Sequence, residues 1–113
     1  MIRHAAVLLT LAIALGIAWG TLTPPGDAGS PLPLTDKQIH ALAFCLLVLP
    51  GALLRPAAIV WLAPCAFGFG AAIELIQPAV GRSAEWGDLL ADAIGIAAGI
   101  VPGLIRARLA RAA

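Results

Sequence analysis

Three pairs of polar residues have the chemical types and the spacing that acid–base catalysis or ion binding requires. In each pair the residues are three or four positions apart, which puts both side chains on one face of an α-helix. Carboxylates and imidazoles transfer protons, and together they also bind divalent cations. The basic residues Lys37 and Arg82 lie near these pairs in the chain. The pairs are Asp36 with His40, Glu74 with Gln77, and Asp88 with Asp92.

The composition indicates that these polar residues belong to a membrane protein. Hydrophobic residues make up 61% of the 113 positions and charged residues only 12%, and the mean hydropathy is +0.99, all far from the values of soluble domains. About 20 apolar residues cross the hydrocarbon core. Four apolar stretches therefore predict an all-α, polytopic membrane protein, a compact four-transmembrane-helix bundle in a single domain at residues 1–113. The predicted spans are about 5–22, 37–54, 57–77 and 87–105.

Proline and glycine mark the connections between these spans. Residues 23–36 are rich in both and predict an extended external loop. Pro78 is predicted to end the third helix, because a proline disfavours helical geometry in the residue before it. Inside that helix, Pro64, Gly68 and Gly70 predict a kink and a close contact with a neighbouring helix.

The positive charges predict the orientation of the bundle. With four spans, one side carries five arginines, and the other carries only Lys37 and Arg82. Because Lys and Arg are enriched on the cytoplasmic side, we expect a multi-pass protein of the cytoplasmic (inner) membrane with both termini in the cytoplasm. The five arginines are Arg3, Arg55, Arg106, Arg108 and Arg111. The acids on or near the external side are Asp27, Asp36, Glu74, Glu85, Asp88 and Asp92.

The first apolar stretch also has an interpretation as a cleavable signal peptide. Arg3 precedes the apolar run, and Ala18 and Gly20 have the small side chains of a cleavage site. The length of the run favours a retained span. Cleavage would leave the external placement of the acids unchanged.

A stripe of small residues in the fourth stretch predicts how the polar faces meet. Small side chains at every fourth position let another helix approach closely in lipid. This contact would turn Asp88 and Asp92 toward the interior of the bundle, where charged groups need partners or water. Arg82 is the predicted partner of Glu74 or Asp88, because a guanidinium binds a carboxylate in two places. If exposed, the stripe would instead serve a homodimer through the last helix. The stripe consists of Ala91, Gly95, Gly99 and Gly103.

Several polar residues also suit purely structural roles. Thr35 or Asp36 suits the N-cap of the second helix, and Gln77 suits a hydrogen bond at a helix end. Cys45 and Cys65 are predicted to lie at different depths, too far apart for a disulfide, as small buried residues. For the ionisable residues together, a structural network and a functional pocket are both open.

One ordered set of short motifs runs from the second span to the fourth. It consists of Asp36-Lys37-x-x-His40, Glu74-x-x-Gln77, Arg82, Asp88, Gly95 and Gly99. The set resembles the VanZ-like family of small bacterial integral membrane proteins, over about two thirds of the chain. The resemblance implies a role at the cell envelope, because the founding member is associated with low-level teicoplanin resistance. The family usually has an Asn four residues after its last-span Asp; here that position is Asp92, so a role that needs a neutral group would require its protonation.

These observations predict three alternative functions. The first is an envelope protein whose external pocket, between the second, third and fourth helices, binds a lipid-linked envelope precursor or a lipid headgroup. Lys37, His40 or Arg82 would face a phosphate, and a divalent cation would bridge it to the acids. The second is a membrane-embedded enzyme acting on a lipid-linked substrate, with His40 and the acids as acid–base groups or as ligands of Mn²⁺, Mg²⁺ or Zn²⁺. The third is a scaffold or small transport protein without a ligand.

Membrane lipids are the partners that the composition predicts. The basic tail suits contact with anionic lipids, and nothing in the chain predicts nucleic-acid binding. No established motif such as HExxH is present. No metal or other cofactor is therefore assigned from the sequence.

Overall fold

The computed structural model of the chain describes residues 1–24 and 32–113. These residues form four α-helices and no strand, and each helix is long and apolar enough to cross a membrane. The predicted all-α, multi-pass fold is confirmed. Much of the predicted external loop, with Asp27, lies outside the described residues. The helices are α1 (Ile2–Leu22), α2 (Asp36–Leu54), α3 (Ile59–Ile76) and α4 (Trp86–Ala112).

Local hydrogen bonds and backbone geometry explain where α2 begins and α3 ends. The Thr35 hydroxyl accepts a hydrogen bond from the Gln38 amide at 3.2 Å, and Gln38 Oε1 accepts one from the Thr35 amide at 2.9 Å. This reciprocal pair caps the helix, so Thr35 is the N-cap and Asp36 the first helical residue. α3 ends just before Pro78, as predicted. Gly81 then adopts the left-handed conformation with φ 78°, which turns the chain toward α4.

The last helix is longer than the sequence predicts. It has 27 residues and runs to Ala112 rather than to residue 105, so its length is about 40 Å at 1.5 Å per residue. The hydrocarbon core of a membrane is only about 30 Å thick. The final turns, which carry Arg106, Arg108 and Arg111, are therefore helical and reach past the hydrocarbon.

Among the described helices, α2 and α4 make the most extensive contact. Gly95, Gly99 and Gly103 face the backbone of α2. A Cβ atom at Gly95 would overlap the carbonyl oxygen of Ala41, and one at Gly99 would lie 2.6 Å from that of Cys45. The stripe is a packing surface, as predicted. Since α2 covers it, the same glycines are not free to form a homodimer.

Apolar side chains fill the space around this contact. Phe44 and Val48 are 1% and 0% exposed, and α1 lies outside them, packed on α2 and α3. The buried core consists of Ile17, Phe44, Leu47, Val48, Ala66, Ile73 and Ile96.

Two details of α3 differ from the sequence predictions. Gly70 does make the predicted close contact, because a Cβ there would lie 3.2 Å from the ring of Phe44, but a Cβ at Gly68 would have no atom within 4 Å. Cys65 is exposed rather than buried, and Cys45 is half-buried, both with free thiols. Apart from Glu74 near its end, α3 is apolar on all sides, so its hydropathy does not specify which face turns inward.

We expect Gly99→Ala to destabilise the bundle and Gly16→Ala not to. The methyl group added at residue 99 would meet the backbone of α2, at a cost on the order of 1–3 kcal/mol. A Cβ at residue 16 has no atom within 4 Å, and Gly→Ala inside a helix gains up to about 1 kcal/mol. The measurement is thermal unfolding of detergent-solubilised variants by circular dichroism. Equal midpoints for the two variants would contradict close α2–α4 packing.

Candidate functional site

Polar side chains from three helices meet inside the bundle at one of its ends. At this end α2 begins, α3 ends and α4 begins. His40 comes from α2, Glu74 from α3, and Asp88 and Asp92 from α4; their exposed fractions are 6, 0, 3 and 1%. We call these four residues the buried polar cluster. Each of their polar atoms needs a partner from the protein or from a bound ligand, because burial removes water.

His40 lies between two carboxylates of α4. Its Nδ1 is 2.8 Å from Asp92 Oδ1, and its Nε2 is 3.7 Å from Asp88 Oδ2. Asp88 and Asp92 are one helical turn apart, so they reach two different nitrogens of one imidazole ring. Gly70 leaves room for this arrangement, because a Cβ there would lie 2.6 Å from Asp92 Oδ2. The ring thus links α2 to α4 through a hydrogen bond between His40 and Asp92.

The Glu74 carboxylate bonds to the backbone at the start of α4. Its Oε2 accepts a hydrogen bond from the Glu85 amide at 2.9 Å. Glu85 is the N-cap of α4, where amide groups lack partners within the helix and the helix dipole favours an anion. The other oxygen, Oε1, is buried and has no hydrogen-bond partner among the residues that the structure describes.

The predicted pairing of Arg82 with Glu74 or Asp88 is wrong. Arg82 instead donates hydrogen bonds to the carbonyl oxygens of Thr23 at 2.7 Å and Gly20 at 3.3 Å. These carbonyls end α1 and have no partner further along that helix, so a cation there is favourable. Arg82 therefore fastens α1 to the connection between α3 and α4.

Gln77 contributes a further bond to the same helix end. Its Nε2 donates to the carbonyl oxygen of Thr21 at 3.2 Å. Gln77 is 3% exposed, and its Oε1 is a second buried oxygen without a partner in the described part of the chain.

Lys37 lies at the exposed edge of the cluster. Its Nζ is 3.1 Å from Glu85 Oε2 and 3.3 Å from Asp88 Oδ1, and its side chain passes over Gly87. Lys37 and Glu85 are both about half exposed, so their ion pair contributes little to stability. Sequence reasoning did not include Glu85 in the site. Its place directly before α4 was the signal that could have found it.

Two overlapping sets of side chains have the types and the proximity of metal ligands. One ligand atom each from His40, Glu74 and Asp92 lie within 4.8 Å of one another, and the same holds for Asp36, His40 and Asp88. All members of the first set are buried, whereas Asp36 in the second is exposed. His40 belongs to both sets, so it is the centre of the arrangement.

Among the described residues at this end, acids outnumber bases. If all the acids are ionised, the balance stays negative even with a protonated imidazole. Uncompensated charge inside a membrane bundle is costly. The site therefore suits bound protons or a bound cation. The acids are Asp36, Glu74, Glu85, Asp88 and Asp92, and the bases are Lys37, His40 and Arg82.

A cavity of about 160 Å³ lies at the opposite end of the bundle. Its walls come from α1, α2 and the start of α3 and include Leu11, Gly51, Arg55 and Leu62. This cavity is remote from the cluster. The outward-opening pocket between α2, α3 and α4 stays a prediction.

Comparisons with protein-family models, with curated proteins and with solved structures find no match for this chain.

Glu74→Gln and Arg82→Gln should affect stability independently. Glu74 binds the start of α4 and Arg82 the end of α1, so their coupling in a double-mutant cycle should stay within about 0.5 kcal/mol. Thermal unfolding of the two single variants and the double variant measures it. A larger coupling energy would show that Glu74 and Arg82 do form the ion pair that the sequence predicts.

Arg82→Gln alone should lower the free energy of unfolding by about 1 kcal/mol, because hydrogen bonds to the end of α1 are lost. Arg111→Gln is the matched control. Arg111 is exposed, and within residues 1–24 and 32–113 its side chain donates only to the Ala107 carbonyl of α4. Equal unfolding midpoints for the two variants would contradict the fastening role of Arg82.

Proposed function

We propose that this chain is a VanZ-like protein of the bacterial cytoplasmic membrane whose buried polar cluster binds a lipid-linked envelope precursor or a lipid headgroup. The observation that carries the proposal is the cluster itself. It places an imidazole and three carboxylates inside the end of a membrane bundle, with Glu74 Oε1 lacking a partner among the described residues. Ionisable groups at such positions are costly and are usually retained for function.

The proposed orientation puts the cluster at the outer face and both termini in the cytoplasm. The other end of the bundle, where α1 and α3 begin and α2 and α4 end, carries Arg3, Arg55 and Arg106. Arg106 donates a hydrogen bond to the Leu53 carbonyl there. This distribution supports the orientation, because positive residues are enriched on the cytoplasmic side.

The proximity of the motif residues in the structure supports the VanZ-like assignment. His40, Glu74 and Asp88 come from three separate motifs and lie in one cluster. Gly95 and Gly99 bring α2 against α4 and so set the distance across it. Asp92 replaces the usual Asn of the family. The bond from His40 Nδ1 to its Oδ1 is one that an Asn oxygen would also accept.

The chemistry of the ligand follows from the charges at the site. A lipid-linked precursor or a phospholipid offers an apolar tail for the membrane-facing helix surfaces and a phosphate for the polar end. Lys37 is the exposed cation at the edge of the cluster, but it already contacts Glu85 and Asp88. The remaining acids repel an anion, so a phosphate would approach most favourably through a bridging divalent cation.

A scaffold role is the second candidate, and specific contacts favour it. The bonds of His40 to Asp92 and of Lys37 to Asp88 join α2 to α4, and the bond of Glu74 to Glu85 joins α3 to α4. A network of this kind holds three helix ends together without any ligand. The two roles differ in what a conservative substitution does to a folded protein.

Teicoplanin susceptibility tests the proposal in bacterial cells that express the protein. We expect the unmodified protein to raise tolerance, and Glu74→Gln to remove the gain while its level in the membrane stays normal. Arg111→Gln, at the far end of α4, should keep the gain. Susceptibility and membrane protein level are measured together for each variant.

Two outcomes would overturn the envelope proposal. The first is an unmodified protein that changes neither teicoplanin susceptibility nor the pool of lipid-linked wall precursors. The second is a Glu74→Gln protein that loses its level in the membrane in proportion to its effect, which would assign the cluster to the scaffold role.

A further inference from the structure

We infer that His40, Glu74 and Asp92 form a binding site for one divalent cation of the Zn²⁺ or Mn²⁺ type. The inference rests on the proposed function in one respect, because it names the species that would join the acidic cluster to a phosphate. It concerns the protein's own side chains, however, and metal binding can be measured without any lipid.

The three side chains converge from three helices. His40 lies in α2, Glu74 in α3 and Asp92 in α4, and one ligand atom from each lies within 4.8 Å of the other two. Their exposed fractions are 6, 0 and 1%. Rigid helices therefore hold a nitrogen and two carboxylate oxygens around one point, shielded from bulk water.

An unpartnered oxygen on one of these three side chains provides a separate indication of a ligand. Glu74 Oε1 is buried and receives no hydrogen bond from residues 1–24 or 32–113. A buried acceptor without a donor costs about 1–3 kcal/mol, and more when it is charged. A cation removes this cost. The unpartnered Oε1 of Gln77, one turn further along α3, is a second such acceptor at the same helix end.

Charge balance favours a divalent ion in this set. Two carboxylates and a neutral imidazole carry a formal charge of −2, which one divalent cation neutralises. Ions of the Zn²⁺ and Mn²⁺ type accept both imidazole nitrogen and carboxylate oxygen, whereas Mg²⁺ and Ca²⁺ favour all-oxygen sites. The mixed ligand set thus selects the class of metal.

The His40–Asp92 pair requires only a small adjustment. His40 Nδ1 and Asp92 Oδ1 are 2.8 Å apart, which is a hydrogen-bond distance. Around a tetrahedral ion with bonds of about 2.0–2.1 Å, neighbouring ligand atoms are about 3.3 Å apart. Binding would therefore break the hydrogen bond of this pair, because a metal needs the unprotonated nitrogen and the carboxylate, and would separate the two atoms by about 0.5 Å. Three protein ligands leave a position for water or a phosphate oxygen.

The second set of ligand types, Asp36, His40 and Asp88, is less suited to a metal. Asp36 is exposed, and the Lys37 ammonium lies 3.3 Å from Asp88 Oδ1. A cation there would compete with a lysine that is already in place. This difference makes Asp36→Asn a matched control for Glu74→Gln, since each removes one carboxylate charge next to His40.

Metal binding to the full-length protein in detergent tests the inference. The protein is stripped with EDTA, incubated with Zn²⁺ or Mn²⁺, desalted, and its metal content measured by mass spectrometry. We expect one ion per chain, retained in Asp36→Asn. Glu74→Gln should weaken binding about 100-fold, since losing even an outer-shell partner of a metal typically costs 10–100-fold. Circular dichroism confirms that each variant keeps its helices.

Electron spin-echo spectroscopy of the Mn²⁺-loaded protein adds a readout that stability does not affect. We expect the coupling of one imidazole nitrogen to the metal, and its loss in His40→Gln. Absence of retained metal would overturn the inference. Equal retention in the unmodified protein, Glu74→Gln and His40→Gln would identify the metal as an adventitious ion only and would overturn the inference too. Loss of binding in Asp36→Asn with retention in Glu74→Gln would overturn it as well.

The same samples separate this inference from the proposed function. A protein that binds one Mn²⁺ through His40 and Glu74 but alters neither teicoplanin susceptibility nor the pool of lipid-linked wall precursors would support the metal site and contradict the envelope role. A protein that raises teicoplanin tolerance yet retains no metal would support the envelope role and contradict the metal site.

Discussion

The contact between α2 and the glycines of α4 is the interaction on which the arrangement of this end of the bundle depends. The carbonyl of Ala41 lies where a Cβ of Gly95 would be. His40 precedes Ala41, and Asp92 is one turn before Gly95, so the backbone contact brings these two side chains within 2.8 Å. A larger residue in the stripe would push the helices apart. It would thereby also separate the imidazole of His40 from the Asp92 carboxylate.

Burial then governs what the polar groups can do. In water a carboxylate and an imidazole would be solvated separately, but inside the bundle each must find a proton, a donor or a cation. Glu74 meets part of this need with the amide at the start of α4, and Asp88 with Lys37. These bonds hold the helix ends together, but they leave the buried Oε1 of Glu74 without a hydrogen-bond partner among the described residues. Structure and ligand binding are thus not exclusive roles for these residues.

The sequence predicts the helices and their order well, because hydropathy and proline placement depend on local chemistry. It also predicts that Asp88 and Asp92 turn inward, since the glycine stripe fixes which face of α4 is buried. It fails for Arg82, whose partners are backbone carbonyls of α1 and therefore leave no trace in the residue types. The Glu74 bond to the Glu85 amide is hidden for the same reason. The exposure of Cys65 does not follow from hydropathy, but it does follow from the inward position of Glu74, because nine residues are two and a half turns and place Cys65 on the opposite face of α3.

The bonds that fasten α1 have a consequence for the order of synthesis. The carbonyls of Gly20 and Thr21 receive their donors from Arg82 and Gln77, which lie 62 and 56 residues further along the chain. α1 therefore leaves the ribosome and enters the membrane well before its end is capped. Until the connection between α3 and α4 has been synthesised, only water at the membrane surface can donate hydrogen bonds to those carbonyls. The hydrogen bonding at this end of α1 is thus completed only by residues that are made long after the helix itself.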